Sequence, residues 1–241
     1  MTARSQPGAA AGTPAPDDGS AWIVIAAYNE GTQVEGVVSR VLGSFRNVVV
    51  VDDGSSDDTG EAALRAGAVV LTHPINLGQG AALRTGMDHA LRQGAEFIVT
   101  FDADGQHRVE DAREMVERLR ASDADVALGS RFLGHAENMP ASRRWLLKCA
   151  TVFTRMTAGL DVTDAHNGLR VFRRVAARSI PIRQNRMAHA SEILEEIGRQ
   201  GLKFIEVPIV IAYTDYSMAK GQSGFGAFNI LLDLLMARLR K

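Results

Sequence analysis

The sequence predicts an α/β fold in which a mainly parallel, Rossmann-like sheet is flanked by helices on both faces, and three observations predict it. Short apolar runs alternate with segments of helical period from residue 22 to residue 129. Runs that are apolar at every position suit strands covered on both sides, as parallel sheets are. With 241 residues and 46% hydrophobic side chains, the chain can bury one sizeable core. Polar clusters follow the apolar runs, at Tyr28-Asn29-Glu30, at residues 52–56, at residues 102–106 and at Ser130-Arg131. Open sheets of this kind bind ligands outside the carboxyl ends of their strands.

Residues 1–20 contain Ala, Gly, Pro and polar residues with nothing to bury, and are expected to be a disordered tail. A strand over 22–27 follows, then a helix in which Val34, Val37, Val38, Val41 and Leu42 recur at helical spacing behind a capping box of Thr32 and Glu35. Next come a strand over 47–51, a helix over 58–66, a strand over 69–72, and a helix over 79–92 with Leu83, Met87, Ala90 and Leu91 on one face. A strand over 97–101, a helix over 109–120 and a strand over 126–129 complete the regular part. Beyond it the pattern predicts a helix over 146–156, a strand near 169–172, a helix over 189–199, a strand over 204–211 and a last helix over 226–240. The expected organisation is a tail over 1–20, one domain over 21–223 and an amphipathic C-terminal helix over 224–241. In that last segment Phe225, Phe228, Leu232, Leu235 and Leu239 form a stripe that ends in Arg238, Arg240 and Lys241. Such a stripe either docks on the core or lies in a membrane interface.

A lone cysteine, Cys149, rules out an internal disulfide and fits a reducing compartment. With no exported leader pattern and no run of 18 apolar residues, the expected location is the cytoplasm or the cytoplasmic face of a membrane. Aromatics make up 6% of the chain and no basic stretch interleaves with them, which argues against nucleic acid. Residues 1–130 hold 10 basic and 19 acidic side chains, and residues 131–241 hold 17 and 9. One half is thus suited to holding a cation and the other to facing anions.

The stretch FDADGQH, residues 101–107, places Asp102 and Asp104 at the end of an apolar run. Two carboxylates that close repel each other and lose hydration, so a cation or protons must relieve them. No glycine-rich phosphate loop follows the first strand. Asp102, Asp104 and Gln106 instead offer hard oxygen ligands for Mg²⁺ or Mn²⁺ bridging a diphosphate.

The motif series AAYNE (26–30), VDDGSSDDT (51–59), NLGQGAALRTG (76–86), FDADGQH (101–107), GSR (129–131) and DAHNGLRVF (164–172) resembles the family 2 glycosyltransferases. Within them it is most similar to the branch of dolichyl- and polyprenyl-phosphate sugar synthases. The resemblance runs over roughly residues 22–220 and implies a GT-A fold. It also implies transfer with inversion from a nucleoside diphosphate sugar, GDP-mannose or a UDP-sugar, to a polyprenyl or dolichyl phosphate. By the same pattern Tyr28, Glu30 and Asp52 meet the base and ribose, and Asp102 and Asp104 the metal and sugar, with Gln106 a further metal ligand. Arg131 matches the arginine on the lipid phosphate, and Lys220 a late lysine near the donor phosphates. Ala26 stands where the family usually has proline, Asn167 and Leu169 where it has Ser/Thr and an aromatic, and Ala219 where serine is common before the lysine.

A phosphate acceptor is already an anionic nucleophile, whereas a hydroxyl acceptor on a glycan or small molecule needs a general base, for which Glu192 is the candidate. Glu192 reads equally as an exposed carboxylate on a helix. Arg143, Arg144 and Lys148 either hold an anion or form a helix's polar face. Two other readings stand beside transfer. A haloacid-dehalogenase-like phosphohydrolase would use Asp102 as a nucleophile, although that motif belongs on a first strand rather than a fourth. A nucleotide-sugar-binding protein without turnover would keep the fold alone.

Overall fold

The computed structural model describes residues 19–137, 141–165 and 167–212. The strands are β1 (Ala21–Ala27), β2 (Asn47–Asp52), β3 (Val69–Thr72), β4 (Phe97–Asp102), β5 (Val126–Glu137), β6 (Arg170–Arg173) and β7 (Phe204–Ala212). The helices among the described residues are α1 (Gly31–Leu42), α2 (Thr59–Arg65), α3 (Gln79–Arg92), α4 (Val109–Arg120), α5 (Ala141–Ala158), α6 (Arg174–Ser179) and α7 (His189–Gln200). The strands form one sheet in the order β3-β2-β1-β4-β6-β5-β7.

Every pairing is parallel except those of β6, which runs antiparallel to both β4 and β5. That reversal matters for the site. Arg170, at the start of β6, is in register with Thr100 of β4 and Leu128 of β5. The segment leading into β6 therefore arrives at the edge where the parallel strands end.

The sheet separates two apolar layers, because successive strand residues face opposite sides. Ile23, Ile25, Val50 and Val99 pack with Val34, Val38, Met115 and Leu119, from α1 and α4. Val24, Val49 and Ile98 pack with Leu83, Met87, Ile193 and Ile197, from α3 and α7.

Four predictions need revision. The expected capping box of Thr32 and Glu35 is absent, since the N-cap is Glu30 and α1 begins at Gly31, two residues earlier than that box requires. Its first N–H groups are satisfied across space instead. Glu30 N–H donates to Thr59 Oγ1 (2.8 Å) and Gly31 N–H to Asp57 Oδ2 (3.0 Å). Second, β5 continues to Glu137 by pairing along β7, with a register shift between Ser130 and His135. A Cβ on Gly134 would lie 2.1 Å from the Ile209 carbonyl oxygen, so only glycine permits that approach. Third, α5 is longer than 146–156 at both ends. Fourth, α6 carries only Ala176 and Ala177 as buried residues, too few for a periodic signal. The tail over 1–18 and the C-terminal helix over 224–241 lie outside the described residues. Among the described residues, no helix is long and apolar enough to cross a membrane.

Candidate active site

The carboxyl ends of β1, β2 and β4, the start of β6 and the N-termini of α3 and α7 enclose a cavity of about 620 Å³. Its acidic wall comes from the residues that end β4. Asp102 is held on both oxygens: Gln79 Nε2–H donates to Oδ1 (3.1 Å) and His107 Nε2 lies 2.9 Å from Oδ2. Because a carboxylate only accepts, His107 donates through Nε2. Its buried Nδ1 has no partner. Burial works to raise the Asp102 pKa, but the hydrogen bond and charge of His107, with the charge of Arg131, bring it below the usual range.

Asp104 behaves oppositely. Burial first, then the negative charges of Asp102 and Glu30, push it up to about 6, against the Gln106 N–H that donates to its Oδ1 (3.0 Å). The repulsion expected from the sequence is thus carried by Asp104, while Asp102 is neutralised by its neighbours. Backbone crowds Asp102 from the far side: a Cβ on Gly168 would lie 2.2 Å from its Oδ2.

Asp53 braces the neighbouring loop. Its Oδ1 accepts from Leu77 N–H (3.0 Å) and from His73 Nδ1–H (2.7 Å), and its Oδ2 accepts from Gly78 N–H (2.7 Å). His73 Nε2 lies 2.9 Å from Thr85 Oγ1. Gly78, at φ 104, then starts α3 and delivers Gln79 to Asp102.

A basic wall adjoins the acidic one. Arg131 is buried, and its Nε–H donates to Asp164 Oδ2 (2.6 Å), as does its backbone N–H (3.1 Å). Arg170 is buried too, donating to the carbonyls of Asn167 (3.1 Å), Ala165 (3.3 Å) and Ala190 (3.1 Å). Burial lowers its pKa to about 10, opposed by the charges of Asp164 and Asp102, so it remains a cation at neutral pH. His189, at the start of α7, is pushed down by burial and by Arg170, which favours its neutral form. Asn167 Oδ1 accepts from Leu169 N–H (2.9 Å), while its buried Nδ2 is unpartnered. Arg186 and Met187, from the segment before α7, complete this wall.

Of the residues singled out in the sequence, Tyr28, Glu30, Asp102, Asp104, Gln106 and Arg131 all line the cavity. Asp52 does not; the lining residue is Asp53, because adjacent residues of an extended chain point to opposite sides. Asp52 faces α2, where a Cβ on Gly60 would meet its Oδ2 at 2.9 Å, and accepts from Ser55 N–H (3.0 Å). Glu192 is not part of the cavity wall either. Its Oε2 accepts from the backbone N–H groups of Arg183 and Gln184 (2.9 Å each), so the candidate base is committed to holding a loop. Lys220 lies outside the described residues. Arg144 and Lys148 are exposed on α5, away from the cavity.

Sequence reasoning missed Gln79, Asp53, Arg170 and His189. Gln79 and Arg170 stand inside quoted motifs, but only the return of α3 and the reversed β6 show that they converge on Asp102.

The donor set fits a divalent ion of the Mg²⁺ or Mn²⁺ kind. Among the described residues no three His, Cys, Asp or Glu side chains cluster as a self-sufficient metal cage. Asp104, raised by an adjacent carboxylate, is where a cation relieves most repulsion, with Asp102 and Gln106 beside it. A hard ion held by one or two carboxylates and completed by substrate phosphates needs no more from the protein.

A mainly parallel sheet flanked by helices, with paired acids at the carboxyl edge of its strands, has the GT-A architecture. The family model described as Glycosyl transferase family 2 matches residues 22–180, and the chain belongs to that family; it is a glycosyltransferase. It is 31% identical over 91% of its length to the UDP-N-acetylglucosamine–dolichyl-phosphate N-acetylglucosaminyltransferase of Methanococcus voltae, 96% of which is covered. It is 30% identical over 82% of its length to the polyprenol monophosphomannose synthase of Mycolicibacterium smegmatis, 79% of which is covered. In fold it is similar to glucosyl-3-phosphoglycerate synthase from Mycobacterium tuberculosis, solved with Mn²⁺, UDP and product. There the TM-score is 0.67 at 18% identity, over 81% of this chain and 72% of that one.

Proposed function

We propose that this glycosyltransferase moves a sugar from a nucleoside diphosphate sugar, a UDP-sugar or GDP-mannose, to a polyprenyl or dolichyl phosphate, with inversion at the anomeric carbon. The observation that carries the reading is the charge of the cavity lining. The acids Asp102 and Asp104 adjoin the cations Arg131 and Arg170 there, while the carboxylate suggested as a base, Glu192, is not in the wall. An acceptor that arrives as an anion needs cationic positioning rather than deprotonation. The name of the Methanococcus voltae relative gives a dolichyl phosphate as acceptor, and that of the Mycolicibacterium smegmatis relative a polyprenol monophosphate sugar as product.

In this mechanism Asp104, with Asp102 and Gln106, would hold the divalent ion, which supplies Lewis-acid stabilisation of charge on the departing diphosphate. His107 and Gln79 keep Asp102 ionised and oriented. Arg131 and Arg170 position the acceptor phosphate. A phosphate oxygen forms a bond to the anomeric carbon as the bond from that carbon to the diphosphate oxygen breaks. Nucleoside diphosphate leaves, and no proton moves to a protein base. Tyr28 and Glu30, at the end of β1, belong to the nucleotide side of the cavity in this reading. Catalysis takes place at a membrane surface, with the apolar stripe of 224–241 as a peripheral contact.

The test is transfer from radiolabelled UDP-N-acetylglucosamine, UDP-glucose and GDP-mannose into organic-extractable polyprenyl phosphate, with Mn²⁺, Mg²⁺ or EDTA. Lipid-linked label that EDTA abolishes is expected. Label appearing only on hydroxyl acceptors would overturn the acceptor assignment, and free phosphate from simple phosphomonoesters would favour the phosphohydrolase. Flotation of the full chain and of a chain ending at Gln222 with anionic liposomes tests the membrane contact, which is wrong if both stay in the soluble fraction.

A further inference from the structure

Asp102 sits at the end of a chain of contacts that starts at Glu192. Glu192 Oε2 accepts from Arg183 N–H and Gln184 N–H, 2.9 Å each. The next residue, Asn185, turns its carbonyl to the first turn of α3, where Gly80 N–H (2.8 Å) and Ala81 N–H (3.3 Å) donate to it. That helix has no side-chain cap of its own, so the Asn185 carbonyl satisfies N–H groups that would otherwise be orphaned. Gln79, which begins the same turn, reaches Asp102 Oδ1 at 3.1 Å.

The contact between the two segments leaves no slack. A Cβ on Gly80 would lie 2.0 Å from the Gln184 carbonyl oxygen, and one on Gly78 2.3 Å from that of Asn185. Backbone thus rests on backbone, and neither segment can shift without the other. Asp53 holds the opposite side of the turn through the N–H groups of Leu77 and Gly78. Arg186, two residues beyond Gln184, lines the basic wall of the cavity. One segment therefore touches both walls.

We infer that Glu192 is a positioning residue: by pinning residues 183–186 against the first turn of α3 it sets Gln79 on Asp102, and so fixes the acidic wall relative to Arg186. A general base is not its role. This inference rests on the proposed placement of the donor and metal at Asp102 and Asp104, but not on the identity of the acceptor.

The experiment compares Glu192→Gln with Glu192→Ala in the full chain, reading binding of UDP and of GDP with Mn²⁺ by calorimetry alongside kcat and KM for transfer. A glutamine carbonyl can still accept both N–H groups but cannot take a proton. Positioning predicts that E192A loses about 10–100-fold in nucleotide–Mn²⁺ affinity, the usual cost of removing a partner that orients a ligand, while E192Q stays within about threefold of the parent. A base would make E192Q fall by at least about 100-fold in kcat with nucleotide affinity intact, and that result overturns the inference. An E192A protein that melts earlier yet binds nucleotide as the parent does also overturns it, since the residue would then be merely structural. Gln79→Ala should produce the same loss, and the double variant should lose no more than either single one; additive losses would break the proposed chain. Should E192A fail to fold, Gly80→Ala separates the same contact from the other side and must weaken nucleotide–Mn²⁺ binding likewise. Nucleotide binding needs no acceptor. A parent that binds nucleotide but never glycosylates polyprenyl phosphate therefore defeats the acceptor reading alone.

Discussion

The two walls of the cavity are built by opposite rules. On the acidic side each carboxylate lies at or within two residues of the end of an apolar strand, so position along the chain and position in the site coincide: Asp53 just after β2, Asp102 at the end of β4 and Asp104 two residues on. On the basic side Arg131, Arg170 and Arg186 come from a strand interior, a reversed strand and a loop, and meet only through the fold. The walls also differ in how their charge is held. Arg131 and Arg170 are anchored by Asp164 and by backbone carbonyls, whereas Asp104 keeps an unfavourable neighbour. The acidic wall is electrostatically incomplete without a cation, whereas the arginines of the basic wall are already held in place by the protein.

That contrast can be broken most severely at Arg131. Arg131→Ala breaks a buried ion pair, since only 1% of the Asp164 side chain is exposed. A loss of about 3–5 kcal/mol in unfolding free energy is expected by denaturant titration, beyond any effect on the acceptor. Arg131→Lys separates the two roles: a partly preserved fold with a raised KM for polyprenyl phosphate and unchanged donor binding marks acceptor contact. Equal losses for donor and acceptor would mark a structural role.

On the acidic wall, Asp104→Asn removes one charged ligand while keeping shape. The transfer rate should drop by roughly two orders of magnitude or more, about 3 kcal/mol of leaving-group stabilisation. Turnover indifferent to both this substitution and EDTA would remove the metal from the mechanism. Gly168→Ala is a subtler displacement, because its Cβ would overlap Asp102 Oδ2 at 2.2 Å. Moving that carboxylate by a fraction of an ångström should lower kcat about 10–100-fold with little change in melting temperature.

The smallest effect is on stability. With its pKa raised to about 6, Asp104 binds a proton more tightly in the folded chain than in the unfolded one. Its contribution is fully present below the unfolded value of 3.8 and is lost as pH rises through about 6. Metal-free Asp104→Asn lacks this loss, so relative to the parent it should gain about 1–2 kcal/mol between pH 4 and pH 7. Thermal melts across that range, repeated with Mn²⁺, check it; parallel pH profiles for the two proteins would contradict the assigned repulsion.

Much of the scaffold was legible without coordinates. The spans of β3, α3 and α4 agree with the prediction residue for residue, because each is an apolar run or a helical-period segment bounded by polar or turn residues. The end of α1 was equally clear, but its start was not, since Asp57 and Thr59 satisfy its first N–H groups from 26 and 29 residues away. A similar limit applies to Asp52, which the resemblance places on the nucleotide, and Asp53, which lines the cavity. Two adjacent carboxylates look alike in a string, and only the direction of the chain leaving β2 decides which faces α2 and which the cavity.

Glu192 shows the limit most plainly. As a carboxylate in the first turn of α7 it qualifies by type and place as a base, and the sequence could offer no more than that. By itself the sequence determined the family, the order of strands and helices other than α6, and the acids that end the strands, because these depend on local pattern and short spacing. Tertiary structure alone decided that β6 runs backwards, that Arg131 is locked to Asp164, and that Glu192 holds a loop against α3. Each of those is a contact between segments distant in sequence, where the partner of a charge or an N–H group is set by packing and not by its neighbours along the chain.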